Sequence, residues 1–296
     1  MLPGFLTEKL KEQYGDISDI IGGYTRKRRT TLRVNTLKSS PEEVAEALTA
    51  AGIHFEVSPF SPIAFLLTEA TEKEIMALPL FAEGRIYLQS YSSMLPPLVL
   101  APAEGDDILD MAAAPGGKTT QMAAMTGNRA SITACERHPI RAEKLKHNLE
   151  VQGAGKVFVM VTDARQLDDF FSFGKILLDA PCSGSGTVFA DDPNLEKTLT
   201  PALVGKCRNT QLALLKKAIR LLKKGGTLVY STCSILKEEN EEIVKAAIKG
   251  TGVEITPVEL PGTEQLPLLP VTLPGTLCVR PTEEYEGFFV AKLTKM

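Results

Sequence analysis

The segment Ile108–Thr120, which reads ILDMAAAPGGKTT, combines a short apolar run, a turn of small residues and the start of a helix. Small residues allow a ligand to approach the backbone, and the free N–H groups at a helix N-terminus bind negatively charged groups. Asp110 ends the apolar run, where it would attract an ammonium group and repel a pyrophosphate. The segment therefore predicts a ligand-binding loop at the carboxyl edge of an α/β sheet.

Two common nucleotide-binding loops do not fit this segment. A Walker A loop has a glycine six positions before its lysine, and the residue six positions before Lys118 is Ala112. The glycine pattern of dinucleotide-binding folds is also absent from it. S-adenosylmethionine, which carries an ammonium and a sulfonium, is the better match.

The next three apolar runs also end in or lead to carboxylates, namely Glu136, Asp163 and Asp179. Glu136 follows the glycines by about 20 residues, the spacing at which a carboxylate accepts ribose hydroxyls, and Asp163 is placed to receive an adenine amine. The predicted cofactor-binding residues are Ala112, Ala113, Ala114, Pro115, Gly116, Gly117, Lys118, Glu136, Arg141, Asp163 and Asp179.

From residue 86 onward, apolar runs alternate with helical patterns, which predicts an α/β domain with a doubly wound parallel sheet over residues 86–296. Seven strands are expected, the last reached without a helical crossover. The segment 260–281 is rich in Pro and Gly and is expected to be a loop or a hairpin connection.

Residues 1–85 predict a separate small α/β domain. Ser40, Pro41 and Glu43 form a capping box at the start of one helix, and Gly52 ends that helix. The order strand, helix, strand, strand, helix resembles a ferredoxin-like unit.

Charge and cysteine content limit the function classes. The net charge is −3, but residues 20–41 and 197–237 contain Lys and Arg and no acid, which suits local phosphate contacts. The five cysteines form no Cys-x-x-Cys pair, so neither a disulfide framework nor a zinc site is expected. No signal peptide or membrane-spanning segment is predicted. We expect a monomer in the cytoplasm.

Two cysteines follow predicted strands directly. Cys182 lies in LLDAPCSGSG and Cys233 in LVYSTCS. Because the carboxyl ends of parallel strands meet at one edge of a sheet, we expect both thiols in one cleft. The spacing does not indicate which of them attacks a substrate.

These motifs resemble the Nol/Nop/Sun family of RNA cytosine-5 methyltransferases, also called RsmB/RsmF-like. The resemblance rests on AAPGGKT, LDAPCSG and STCS, on LRVNTL in the small domain, on YLQSYSSMLP at the domain junction, and on RP and EGFF near the end. It covers nearly the whole chain. Ala112 and Glu286 depart from the family pattern, in which Cys and Asp are frequent at these positions.

The resemblance implies a class I methyltransferase fold, S-adenosylmethionine as cofactor and RNA as partner, without a metal. It implies that Cys233 adds to carbon-6 of cytosine, while Cys182 assists breakdown of the covalent adduct. Asp179 and Lys118 are expected to position the base. Candidate contacts with the RNA backbone are Arg26, Arg28, Arg29, Arg33 and Gln89.

Alternative functions remain open from the sequence. One is a non-catalytic RNA-binding assembly factor that retains the fold, and another is a nucleotide hydrolase that uses the GGKT turn. The resemblance does not specify whether the target is ribosomal or transfer RNA.

Overall fold

The computed structural model describes residues 2–296, and within them the strands form two sheets, a small sheet of four strands and a large sheet of nine. Residues 2–88 form the small sheet and five helices. These elements are α1 (Gly4–Tyr14), α2 (Ser18–Thr25), β1 (Thr31–Val34), α3 (Pro41–Ala50), β2 (Phe55–Ser58), β3 (Ser61–Leu67), α4 (Glu72–Met76), α5 (Pro79–Ala82) and β4 (Ile86–Leu88).

The small sheet is antiparallel, with the order β2-β3-β1-β4. Together with α3 and α4 this is a ferredoxin-like arrangement, as predicted. Ser40 accepts a hydrogen bond from the Glu43 N–H, and the Glu43 side chain accepts one from the Ser40 N–H, so the predicted capping box is confirmed. A second capping box, formed by Thr71 and Glu74, begins α4.

The large sheet carries helices on both faces. Its elements are α6 (Tyr91–Leu100), β5 (Asp107–Asp110), α7 (Gly117–Met125), β6 (Ser131–Cys135), α8 (Pro139–Gln152), β7 (Val157–Met160), β8 (Phe173–Asp179), α9 (Leu195–Thr198), α10 (Pro201–Leu221), β9 (Leu222–Thr232), α11 (Glu241–Ile248), β10 (Val253–Thr256), β11 (Leu268–Leu269), β12 (Leu277–Val279) and β13 (Phe288–Lys295). None of the helices in residues 2–296 has the length and apolar character needed to cross a membrane.

The strand order in the large sheet is β11-β12-β13-β9-β8-β5-β6-β7, with β10 paired to β13. Strands β5 to β9 are parallel to their neighbours, and β13 is antiparallel to β9. The prediction of seven strands was wrong by two, since β11 and β12 form a hairpin within the segment 260–281. The predicted α/β fold is confirmed.

The first two helices pack on the large sheet rather than on the small one. Leu6 and Leu10 of α1 and Ile20 and Tyr24 of α2 are buried in the same core cluster as residues of β8 and β9. Strand β4 lies beyond residue 85 but belongs to the small sheet. The division at residues 85 and 86 stays a prediction, and these contacts show that the two units interlock.

Candidate active site

Cys182 and Cys233 lie side by side at the carboxyl edge of the large sheet. Asp179 at the end of β8 pairs with Ser231 of β9, so the chain leaves both strands at the same level. The Gly186 N–H donates to the Cys233 carbonyl at 2.9 Å, which joins the two loops. The two Sγ atoms are 2.9 Å apart. The expectation that both thiols share one cleft agrees with this geometry.

Burial and hydrogen bonding set the protonation of Cys182. The hydrogen bond to Cys233 and, secondarily, desolvation raise the pKa of the Cys182 thiol well above its ordinary value. Cys182 therefore keeps its proton and can donate it in a hydrogen bond to the Cys233 sulfur.

A buried carboxylate, Glu239, ties the two cysteine loops together. Its Oε1 accepts from the Ser183 N–H at 2.9 Å and from Gln211 Nε2 at 3.1 Å, and its Oε2 accepts from Ser183 Oγ at 2.5 Å and Ser234 Oγ at 2.6 Å. Ser183 follows Cys182 and Ser234 follows Cys233. Asn240 adds bonds to Thr232 Oγ1 and to the Ser234 carbonyl. Glu239 is not among the predicted site residues, and its position shortly after the STCS motif was the signal that could have indicated it.

Lys118 and Asp179 form an ion pair beside the cysteines. Lys118 Nζ is 2.8 Å from Asp179 Oδ2 and donates to Ser93 Oγ at 2.7 Å, while Ser231 Oγ donates to Asp179 Oδ1 at 2.8 Å. Burial alone would lower the pKa of Lys118, but attraction to Asp179, with a smaller contribution from Cys233, raises it above its ordinary value. Lys118 is therefore a fixed cation that holds Asp179 in place.

Asp110 is a second acid at the bottom of the cleft. Its Oδ2 accepts from Thr119 Oγ1 at 2.7 Å and its Oδ1 from the Ala112 N–H at 3.4 Å. Desolvation raises the pKa of Asp110 to about 6 in spite of these bonds. A cationic ligand group would therefore stabilise the charged form of Asp110.

The smaller of two adjoining cavities, about 230 Å³, has the lining expected of the cofactor site. Its polar lining includes Glu136, Arg141, Asp163 and Asp179. Glu136 is buried, accepts from the His138 N–H at 2.9 Å and lies 3.6 Å from Arg141. Arg141 also donates to the Ala114 carbonyl at 2.7 Å. Asp163 accepts from the Arg165 backbone N–H and from Nε at Oδ1, and from Nε and Nη2 at Oδ2, so Arg165 engages both carboxylate oxygens.

The larger cavity, about 440 Å³, opens beside the first and shares Ala112, Ala114, Asp179 and Cys233 with it. Residues 112–115, Gly117 and Lys118 of the predicted loop line it, while Gly116 is the N-cap of α7 and has a left-handed conformation with φ of 112°. The two cavities form a continuous cleft with Cys233 at their junction.

The predicted RNA contacts divide into two groups. Arg28 and Arg29 line the larger cavity, and Arg26 is exposed on the surface beside them. Arg33 is completely buried, where it bonds Gln89 Oε1 and Thr120 Oγ1, so the prediction that it contacts the RNA backbone was wrong. Gln89 borders the cavity, but its amide is engaged by Arg33, the Ser93 carbonyl and Gln121. Both side chains join the small sheet to the large unit.

Among residues 2–296, no group of three or more His, Cys, Asp or Glu side chains is arranged to hold a metal ion. The reactive side chains at the junction of the two cavities are the thiol of Cys233 and the carboxylate of Asp179.

Family models match both units of the chain. The model described as 16S rRNA methyltransferase RsmB/F matches residues 97–294, and that described as the ferredoxin-like domain of RsmF/B-like methyltransferases matches residues 2–73.

Curated proteins with similar sequences include two named for ribosomal RNA. Ribosomal RNA small subunit methyltransferase F of Shewanella loihica is 36% identical, over 90% of this chain and 57% of the relative. The 28S rRNA (cytosine-C(5))-methyltransferase of Mus musculus is 35% identical, over 98% of this chain and 38% of the relative. The chain thus spans less than two thirds of the length of these relatives.

Two solved structures from Pyrococcus horikoshii match over nearly their whole length. A methyltransferase homolog protein has 31% identity and a TM-score of 0.84, with 100% of both chains covered. NSun6, solved with SFG, has 26% identity and a TM-score of 0.87, covering 99% of this chain and 98% of that one.

Proposed function

Because the chain belongs to the RsmB/F family of rRNA methyltransferases, we propose that it transfers a methyl group from S-adenosylmethionine to carbon-5 of a cytosine in RNA. The observation that carries the proposal is the pair of thiols 2.9 Å apart, beside the Lys118–Asp179 ion pair, where two cavities meet. An assembly factor would need no such pair, and a nucleotide hydrolase would have no use for it.

The donor set in the cleft fits S-adenosylmethionine. Asp110 offers a buried carboxylate to an ammonium, and Glu136 offers one to ribose hydroxyls. Asp163 lines the same cavity as Glu136 and would accept an adenine amine in exchange for one of its bonds from Arg165. The small side chains Ala112 and Ala114 leave room beside the backbone. When bound, the cofactor supplies an electrophilic methyl group. The neighbour solved with SFG, an analogue of S-adenosylmethionine, supports this assignment.

Cys233 is the proposed nucleophile, since it is the thiol that lines both cavities. Its thiolate forms a bond to carbon-6 of the cytosine, and the electron pair of the 5,6 double bond becomes available at carbon-5. Asp179 accepts a hydrogen bond from the cytosine edge, while Lys118 holds Asp179 in position. Carbon-5 is then nucleophilic enough to take a methyl group.

Release of the product reverses the addition. The proton leaves carbon-5 to solvent, its electron pair restores the 5,6 double bond, and the carbon-6–sulfur bond breaks with its electrons on Cys233. A protonated Cys182 stabilises this departing sulfur through the hydrogen bond seen at 2.9 Å. We therefore assign adduct breakdown to Cys182.

The RNA target is proposed from the relatives. Their names favour ribosomal RNA over transfer RNA. A cytosine within a duplex is inaccessible, so the target is single-stranded or flipped out. A cytoplasmic location and a monomeric state stay expectations.

The test is methyl transfer to total RNA from a strain that lacks the gene, with labelled S-adenosylmethionine and mapping by bisulfite sequencing. We expect one or a few protected cytosines with the wild-type protein and none with Cys233→Ser. Cys207→Ser, a cysteine on α10 that lines neither cavity, is the matched control and should retain transfer. Labelling of no RNA by the wild type would refute the proposal.

A further inference from the structure

Phe189 is a large aromatic residue that remains 39% exposed in the segment after the Cys182 loop. It borders a groove of about 440 Å³ that lies outside the cleft described above. We call this the Phe189 groove; the residues that define it are Lys27, Arg28, Arg29, Leu67, Glu69 and Phe189.

The aromatic ring and its basic neighbour are held in fixed positions. The Arg28 guanidinium carbon lies 4.9 Å from the centre of the Phe189 ring. Arg28 donates to the carbonyls of Gly186 at 3.2 Å and Thr187 at 3.3 Å. Ala190, which follows Phe189 in the chain, donates its N–H to the Tyr24 carbonyl at 2.9 Å. This bond fixes the segment around Phe189 against α2. A planar ligand would meet a preformed surface and little ordering would be required.

The Phe189 groove is continuous with the catalytic cleft. Arg28, Arg29 and Glu72 line both the groove and the larger cavity that contains Cys233. A strand whose cytosine reaches Cys233 can continue along these shared residues into the groove.

The charges around the groove favour a base over a phosphate. Arg29 is paired with Glu56 and Glu284, and Arg28 lies 3.6 Å from Glu286, so their charges are partly neutralised. Glu69 and Glu72 border the groove. A base has an apolar face for an aromatic ring and polar edges that pair with either charge, whereas a phosphate would be repelled by the acids.

We propose that the Phe189 groove is a nucleobase subsite, which binds by stacking the base of a nucleotide adjacent to the target cytosine. The inference rests on the proposed function, because it needs a cytosine in the cleft. The subsite would fix the register of the strand, because a base stacked on Phe189 sets the position of the cytosine beside it.

The test uses three short single-stranded RNA oligonucleotides, each with one cytosine among uridines. One is intact, one lacks the base on the 5′ side of the cytosine, and one lacks the base on the 3′ side. Dissociation constants are measured by fluorescence anisotropy with S-adenosylhomocysteine present. Stacking on an aromatic ring is worth about tenfold in affinity, so the wild type should bind one abasic oligonucleotide about tenfold more weakly than the intact one.

Phe189→Ala should bind the intact oligonucleotide about tenfold more weakly and lose the discrimination. Phe189→Tyr should retain the discrimination between intact and abasic oligonucleotides. Phe189→Leu, which is apolar but not planar, should lose it. The leucine variant also serves as a second test in case the alanine variant misfolds. Phe170→Ala is the matched control, since Phe170 is 96% exposed and does not line the groove.

Equal affinity of the wild type for all three oligonucleotides, or no binding of any, would overturn the subsite. Because binding is measured without methyl transfer, the two proposals fail separately. Base discrimination without transfer contradicts the proposed function, and transfer without discrimination contradicts the subsite alone.

Discussion

At the scale of one residue, the buried charge of Asp110 lowers the free energy of unfolding near neutral pH. The carboxyl is buried at the end of β5, and desolvation raises its pKa to about 6 from an ordinary value of 3.8. Between these values the folded chain holds a proton that the unfolded chain has lost. Stability therefore falls as the pH rises from about 4 to about 6, and above pH 6 the buried charge is a constant cost.

Asp110→Asn should accordingly stabilise the protein above pH 6. We expect a gain on the order of 1–3 kcal/mol in the free energy of unfolding at pH 7.5, which disappears as the pH falls toward 4. Denaturant unfolding at several pH values measures it. Asp191→Asn, an exposed control, should show no such dependence.

The same variant should bind S-adenosylmethionine at least tenfold more weakly, because the ligand loses its carboxylate partner. Titration calorimetry measures this loss. A variant that is destabilised at pH 7.5, or that binds the cofactor as well as the wild type, would contradict the role given to Asp110.

At the scale of elements, Glu239 joins the loop after β8 to the loop after β9. The Glu239 carboxylate accepts four hydrogen bonds, which suits a group that only accepts. Glu239→Gln would place an N–H₂ group against these donors. We expect a loss of about 2–4 kcal/mol in stability and a fall in kcat of tenfold or more, with KM for RNA unchanged.

The positioning role of Glu239 has its own readout. The rate at which iodoacetamide alkylates Cys233 should change in Glu239→Gln, because the distance between the thiols depends on both loops. Glu242→Gln, on the exposed side of α11, should leave kcat and alkylation unchanged. If the variant is less stable but its kcat and alkylation rate are unaltered, Glu239 has only a structural role and the positioning role is contradicted.

Helix α6 illustrates an element that local sequence rules miss. It contains Pro96 and Pro97, which normally prevent a helix prediction because they lack an N–H. In the structure the carbonyl of Ser93, which Pro97 leaves without its helical partner, accepts from Gln89 Nε2 at 3.1 Å. The compensating donor, Gln89, precedes the helix in the chain. Only the folded structure shows that its side chain bonds this carbonyl.

For the whole molecule, local patterns predicted the alternating elements and the cysteine pair. Strand ends in a parallel sheet share one edge, so Asp179, Cys182 and Cys233 could be placed together from their positions in the chain. The segment 260–281 was expected to be a loop or a hairpin connection, but its strands β11 and β12 could not be located, since strands of two and three residues have no detectable alternation. The assignment of Cys233 as nucleophile came from the family resemblance, because the spacing treats both thiols alike.

Contacts between the two units could not be predicted from the sequence. Arg33 was expected to contact RNA, but this β1 residue is buried against Thr120 of α7, and burial lowers its pKa to about 10. Tyr14 of α1 donates to the Ile235 carbonyl at 2.5 Å, and Tyr24 of α2 donates to the Ser185 carbonyl at 2.6 Å. The amino-terminal helices thus support both cysteine loops, and no local pattern encodes such long-range contacts.

Cys233 is proposed to form the covalent adduct and Cys182 to assist its breakdown. Trapping of the adduct tests these two roles most directly. Cys182→Ala, Cys233→Ala and the double variant are incubated with RNA and S-adenosylmethionine, then separated on denaturing gels. We predict a slower, ribonuclease-sensitive band for Cys182→Ala, because the adduct forms but is not released, and no such band for the other two. A covalent band with Cys233→Ala, and none with Cys182→Ala, would contradict the account.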